Sequence, residues 1–273
     1  MRESSKVIGY TLLAFGMLSL ILSIFYEHVI MAFIGLGLTF WGALLLFIRS
    51  EEYVKEKLLN STMLPTLTDI NQVFAELGYQ GKGIYLPPKY FKNTGTSKVY
   101  ITQNKNTDLL TPEEIQQHEN KLFIKNPEAA LITPPGYSLS KLFEKTLGKS
   151  FAKTDLEYLQ QKLPKIFIED LEIAENLEIQ IGPSKAAEKV ADSVSLIHLK
   201  YDIVHVKITG SIYKDLCKEA RKLSHVCGTI GCPICSAVAC AIAKASGKPI
   251  TIEKTECAED GKVIEAYYRI LED

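Results

Sequence analysis

The residues in this sequence with the most chemistry to offer are its cysteines. Four of the six fall in one stretch, His225-Val226-Cys227-Gly228-Thr229-Ile230-Gly231-Cys232-Pro233-Ile234-Cys235-Ser236-Ala237-Val238-Ala239-Cys240, and Cys217 and Cys257 flank it. Three readings compete. In the first, Cys227, Cys232 and Cys235 bind a metal with Cys257 as the fourth ligand, His225 and Cys217 being the alternatives. Their C-x4-C-x2-C spacing matches part of the plant-type [2Fe–2S] run, and zinc accepts four cysteines or three with a histidine. In the second, Cys232-Pro233-Ile234-Cys235 is a redox dithiol. In the third the cysteines are small apolar side chains that pack a core.

The elements that must position these thiols can be read from the same stretch. Pro233 suits the first turn of a helix, where its missing N–H costs nothing. Cys232 is then the N-cap and Cys235 lies in the first turn. Ala237, Ala239, Ala241 and Ala243 continue the helix, and Gly247 with Pro249 stops it. A cysteine at a helix N-terminus feels the positive end of the helix dipole, which favours thiolate. Gly228 and Gly231 allow the preceding backbone to turn tightly and bring Cys227 towards Cys232 and Cys235. Cys240 projects from a different face of the helix and reads as core.

The formal net charge is −1, and no Lys/Arg run is interleaved with aromatics, so a nucleic-acid footprint is absent. Apolar residues concentrate near the start. Val7 to Phe25 is an uncharged run of about nineteen residues, enough to cross ~30 Å of hydrocarbon. Val29 to Ile48 is a second such run. The first lacks a small-residue cleavage site and another span follows at once, which argues against a signal peptide. The short connection predicts an antiparallel transmembrane hairpin that meets membrane lipid from Val7 to Ile48, with Gly9, Gly16, Gly35, Gly37 and Gly42 allowing close approach. Arg2 and Lys6 precede it and Arg49, Lys55 and Lys57 follow. The positive-inside rule then places both chain ends and the remaining sequence in the cytoplasm, a reducing compartment that disfavours structural disulfides. The expected organisation is a hairpin anchor over 1–49, a stalk and linker over 50–68, and a cytoplasmic domain over 69–273 with a possible subdomain at 211–273.

Within that domain, Asp69 to Leu77 is amphipathic, with Gly78 as its stop. Strands are predicted at Gly83–Leu86, Lys98–Thr102, Leu122–Ile124, Ala129–Ile132 and Leu177–Ile181. Thr111-Pro112-Glu113-Glu114 starts a helix, Ser138 caps another that ends at Leu147, and Thr154 or Asp155 starts a third that Pro164 should kink or break. Val194–Leu199 and Ile203–Ile208 read as a hairpin, Ser211 as the cap of a helix to Leu223, and Pro249–Glu256 with Lys262–Leu271 as a closing hairpin turned at Asp260-Gly261. His198 and His205 read as strand residues. No regular βαβ repeat appears, so the fold class is α+β. No GxGxxG, Walker A, HExxH or GxSxG motif is present, and no catalytic residue stands out.

The segments Gly81–Pro88, Leu131–Gly136, Asp155–Leu159 and Gly231–Cys240 resemble an uncharacterised family of archaeal membrane proteins, a resemblance that spans most of the chain and implies no activity. Residues 211–271 have the order helix, Gly247-Lys248, strand, Cys257, Gly261, strand. This is similar to the end of vinyl-reductase-type domains, which implies a small-molecule-binding module. That family carries a further cysteine in its last strand; here the strand reads Ile264-Glu265-Ala266-Tyr267-Tyr268-Arg269 and has none.

The expected function is a membrane-anchored cytoplasmic binding or sensory module with a cysteine-lined site for a small molecule or a metal, zinc or an iron–sulfur cluster. The alternatives are an iron–sulfur or dithiol redox protein and a scaffold whose cysteines are core. The sequence names no protein partner.

Overall fold

A computed structural model describes residues 2–26, 28–47, 56–92, 96–104, 109–124, 128–182 and 203–271. The chain divides into two compact units, Met1–Val54 and Lys55–Asp273.

The first unit is a pair of helices, α1 (Arg2–Tyr26) and α2 (Val29–Phe47). They pack through glycines. A Cβ added at Gly16 would lie 2.6 Å from the Thr39 nitrogen, and one at Gly42 would lie 2.7 Å from the Leu13 nitrogen. Close approach of this kind is how small residues pair helices where lipid removes the hydrophobic driving force. Gly37 faces open space. The outward faces carry Phe15, Phe25, Phe33 and Trp41, all exposed. Ile8–Tyr26 is long and apolar enough to cross a membrane; the apolar part of α2, Val29–Leu44, is shorter. Ser224–Ser246 passes the same test of length and composition, but 89% of its apolar window is buried inside the second unit.

The second unit is mixed α+β. Its helices are α3 (Glu56–Glu76), α4 (Pro112–His118), α5 (Tyr137–Leu147), α6 (Leu156–Lys165), α7 (Lys214–Arg221), α8 (Ser224–Thr229) and α9 (Pro233–Ser246). Its strands are β1 (Ile84–Tyr85), β2 (Val99–Thr102), β3 (Phe123–Ile124), β4 (Ala129–Ile132), β5 (Asn176–Gly182), β6 (Ile203–Thr209), β7 (Ile250–Cys257) and β8 (Val263–Ile270). They form one eight-stranded sheet in the order β3-β4-β2-β1-β7-β8-β6-β5, and the pairings are antiparallel. On β6 and β8 the burial alternates, with Val204, Val206, Ile208, Ile264, Ala266 and Tyr268 turned to the core. β2 is buried throughout, because a smaller cluster of Leu86, Tyr90, Phe91, Tyr100, Ile115 and Leu131 gathers beside the main core.

α9 is the axis of the main core. From Pro233 to Ala245 its side chains are buried, and it meets α5, α6, β1, β7 and β8. Its small residues let neighbours come close. Gly136, which caps α5, packs so tightly on α9 that an added Cβ would lie 2.0 Å from the Ala237 nitrogen. The Gly136 N–H donates to Ser236 Oγ at 3.1 Å.

Several expectations need correction. Residues 60–68 are not a linker: they belong to α3, which runs through Pro65. Burial of Leu67 and Phe74, with Met63, Leu64 and Ile70 packed on the core, outweighs the lost N–H of one proline. Residues 50–55 of the expected stalk lie outside the described residues, as do Val194–Leu199 and His198. Ile203–Thr209 pairs instead with β5 and β8. Residues 211–273 are not a subdomain, since β7 pairs with β1 and β8 with β6, which places this segment in the middle of the sheet. The caps also differ. Gly136 and Tyr213 precede α5 and α7 in place of Ser138 and Ser211, and Ser211 Oγ accepts the Tyr213 N–H. The helix does not break at Pro164; it continues to Lys165 and then widens into a π turn over Ile166–Asp170. Thr111 and Glu114 form the reciprocal capping pair at α4, and Asp155 caps α6.

Candidate functional site

The site is built on the start of α9. Gly231 takes φ +67°, a left-handed conformation that side chains disfavour, and turns the chain from α8 into the extended Cys232. A Cβ at Gly231 would also come within 2.8 Å of Ile252. Cys232 sits at the N-cap position and Pro233 opens the helix. The Cys232 sulfur closes no regular cap bond. It instead receives a contact from Cys217 on α7, whose thiol donates to it across 2.9 Å.

Five of the six cysteines line one cavity here: Cys217 from α7, Cys227 from α8, Cys232 and Cys235 from the start of α9, and Cys257 from the end of β7. The cavity is small, about 20 Å³. Cys217, Cys232 and Cys235 are buried, and Cys227 and Cys257 are half-buried. Cys227 Sγ lies 3.6 Å from Thr255 Oγ1 on β7. Arg221 and Glu256 complete the polar part of the wall, and an Arg221 Nη1 donates to the Cys257 carbonyl at 2.7 Å. Tyr268 Oη donates to the Cys235 carbonyl at 3.0 Å.

The thiols are not equivalent. The Cys217 and Cys235 thiols beside Cys232 hold its ionisation well below the ordinary cysteine range, and the N–H groups of Cys235 and Ile234 add to this against the cost of burial. Cys217 and Cys235 are pushed well up, first by their hydrogen bonds to Cys232 and then by burial. Burial also raises Cys227 and Cys257. The arrangement favours ionisation at Cys232 over its two neighbours, Cys217 and Cys235, which can donate hydrogen bonds to it. It can attack an electrophilic sulfur or oxygen, or offer a soft ligand.

The sequence-derived set Cys227, Cys232, Cys235 and Cys257 is thus brought to one cavity, together with the alternative Cys217. His225 is not on its wall; the His225 N–H binds Asn71 Oδ1 on α3. Among the described residues no group of three His, Cys, Asp or Glu side chains is arranged to hold a metal ion. Cys240 is buried away from the cavity and its thiol is pushed up to about 12 by burial. The sequence did not reveal that Cys217, on another helix, donates its thiol to Cys232. Nor did it mark Arg221 and Thr255. The one available signal was the helical spacing of Cys217 and Arg221, which puts both on one face. A larger groove, about 640 Å³, lies between α6 and the end of α9 near Gln160 and Lys248. It contains no cysteine or histidine and is an open surface depression.

No curated protein and no solved structure matches this chain. A family model described as a domain of unknown function, DUF7982, matches residues 1–267, and the chain belongs to that family.

Proposed function

We propose that this is a membrane-anchored sensory module whose responsive centre is the cysteine cavity, and that Cys217 and Cys232 switch between dithiol and disulfide. The observation that carries the reading is the 2.9 Å between their sulfurs. A disulfide has an S–S length of about 2.05 Å, so closure asks for a movement of roughly 0.9 Å. Cys232 is the thiolate-prone partner, and the Cys217 thiol donates to it at 2.9 Å. The reaction removes two electrons and two protons and joins two elements, α7 and α9. The apolar hairpin, whose two spans 7–25 and 29–48 carry no charged residue, is the anchor. Arg2, Lys6, Arg49, Lys55 and Lys57, which flank the hairpin, support a cytoplasmic cavity by the positive-inside rule.

The redox half is tested by equilibrating the full chain in detergent with graded ratios of reduced and oxidised glutathione, then alkylating and mapping peptides. A single reversible Cys217–Cys232 bond is expected. A Cys232–Cys235 bond, or no bond at any ratio, sinks the reading. The membrane half is tested in intact cells with an impermeant thiol reagent. His28→Cys at the hairpin tip should label, and Lys82→Cys only after permeabilisation. Labelling of Lys82→Cys alone in intact cells reverses the orientation.

A second reading, a zinc ion or iron–sulfur cluster held by Cys227, Cys232, Cys235 and Cys257, is supported by their convergence on one cavity. Zn–S bonds of about 2.3 Å set tetrahedral sulfurs ~3.8 Å apart. An ion taking both Cys232 and Cys217 would therefore spread that pair. Stoichiometric metal in the purified chain, lost on Cys227→Ser, favours this reading over the dithiol.

A further inference from the structure

Resting on the dithiol reading, we propose that the oxidant this pair reads is hydrogen peroxide, admitted by size to the cavity that Cys232 lines.

The volume decides the class. A cavity holds one water when it offers about 10–15 Å³. This one offers about 20 Å³. That is room for a molecule of two oxygens; an aryl hydroperoxide or a glutathione-sized disulfide reaches the pair only when the fold opens, which slows it without changing the equilibrium. The wall suits the reaction as well. Thr255 Oγ1 and the Arg221 guanidinium supply hydrogen-bond donors beside the thiols. Arg221 is fixed by its bond to the Cys257 carbonyl. Ile264 closes an apolar side. The half-buried sulfurs of Cys227 and Cys257 stand at the exposed edge, and the reacting pair is deeper.

The chemistry balances. The Cys232 sulfur, having lost its proton, attacks one peroxide oxygen. An S–O bond forms, the O–O bond breaks, and the departing hydroxide takes up a proton to leave as water. Cys232 is now a sulfenic acid, oxidised by two electrons while the peroxide is reduced by two. Cys217, 2.9 Å from Cys232 in the reduced protein, then attacks that sulfur. The S–S bond forms, the S–O bond breaks, and the hydroxyl leaves as water with the Cys217 proton. The sum is two thiols and one peroxide giving one disulfide and two waters.

The test compares hydrogen peroxide with cumene hydroperoxide at equal concentration on the full chain in detergent. The rate of Cys217–Cys232 formation is read by quenched alkylation and peptide mapping. Hydrogen peroxide should be faster by at least ~10-fold, because access and not intrinsic reactivity limits a buried thiol. In Cys217→Ser, the first oxygen should appear on the Cys232 peptide by mass. Equal rates for the two oxidants, or a first oxygen on Cys227 or Cys257, overturn the proposal. The wild-type rate ratio stands even if the variant does not fold. The two readings fail separately. If the disulfide forms in glutathione buffer without a peroxide preference, this inference alone falls. If it forms under neither condition, the dithiol reading falls first.

Discussion

Gly136→Ala is expected to destabilise the second unit by about 3 kcal/mol or more, the upper range for forced overpacking. The added Cβ would stand 2.0 Å from the Ala237 nitrogen, 2.4 Å from the Pro233 carbonyl oxygen and 2.6 Å from the Ala237 Cα. All three are backbone atoms of the first turns of α9, so no side chain can swing aside. Relief requires the Pro134-Pro135-Gly136 turn and α9 to separate, which also breaks the bond from the Gly136 N–H to Ser236 Oγ. The Cys232 end of α9 would move with it, so the Cys217–Cys232 disulfide should form more slowly in any fraction that still folds. The control is Gly182→Ala, where an added Cβ meets nothing within 4 Å. Urea unfolding followed by circular dichroism measures both. A Gly136→Ala loss below ~1 kcal/mol would show that the packing is looser than described.

Glu144→Gln is the second large effect. Lys244 lies on the buried helix α9 with 2% of its side chain exposed, and its Nζ donates to Glu144 Oε2 at 2.8 Å. Glu144 Oε1 also accepts from Ser150 Oγ at 2.8 Å and from the Phe151 N–H at 2.9 Å. Removing the carboxylate leaves a cation in the core without its counter-charge, which costs about 3–5 kcal/mol. The pair also sets an acid limit. Burial alone would raise Glu144, but the hydrogen bonds from Lys244 and Ser150 outweigh it and hold the carboxyl below its ordinary value. A group lowered by folding contributes stability above its unfolded pKa, about 4.3 for Glu, and that contribution fades as pH falls through the lower folded value. The wild type should therefore lose stability with acid across that window, and Glu144→Gln should lack this component. The double variant Glu144→Gln/Lys244→Met should recover much of the loss, because an apolar replacement of a buried pair is often neutral. A single variant as stable as wild type at neutral pH would falsify the pairing argument.

The site was legible where local rules govern it. Cys232-Pro233 announces a helix start, Gly231 announces a turn, and the alanine run announces a buried helix. Together these bring Cys227 beside Cys232 and Cys235. Cys217 was less legible because its contact with Cys232 joins two helices through tertiary packing, and no periodicity links them. The strands from Ile84 onward were mostly readable from alternation, yet their order was not. β1 joins β7 across more of the sequence than any local pattern spans. Pro65 misled for the opposite reason. A proline is a strong local breaker, but α3 buries Leu67 and Phe74 on the core and keeps its helix through it. The apolar stretch Ser224–Ser246, which holds α8 and α9, shows the same contest, since hydropathy cannot tell a lipid-facing segment from one enclosed by its own protein.

The position of β7 and β8 within the sheet carries a consequence for synthesis on the ribosome. β1, β2, β3 and β4 form one antiparallel group, and β5 pairs with β6; among the described strands the two groups are joined through β7 and β8. Until residues 250–270 emerge from the exit tunnel, the nascent chain holds two separate half-sheets, each with an open edge, at β1 and at β6. Such edges invite pairing with another chain. The long-range closure that ends this exposure is also the slow kind.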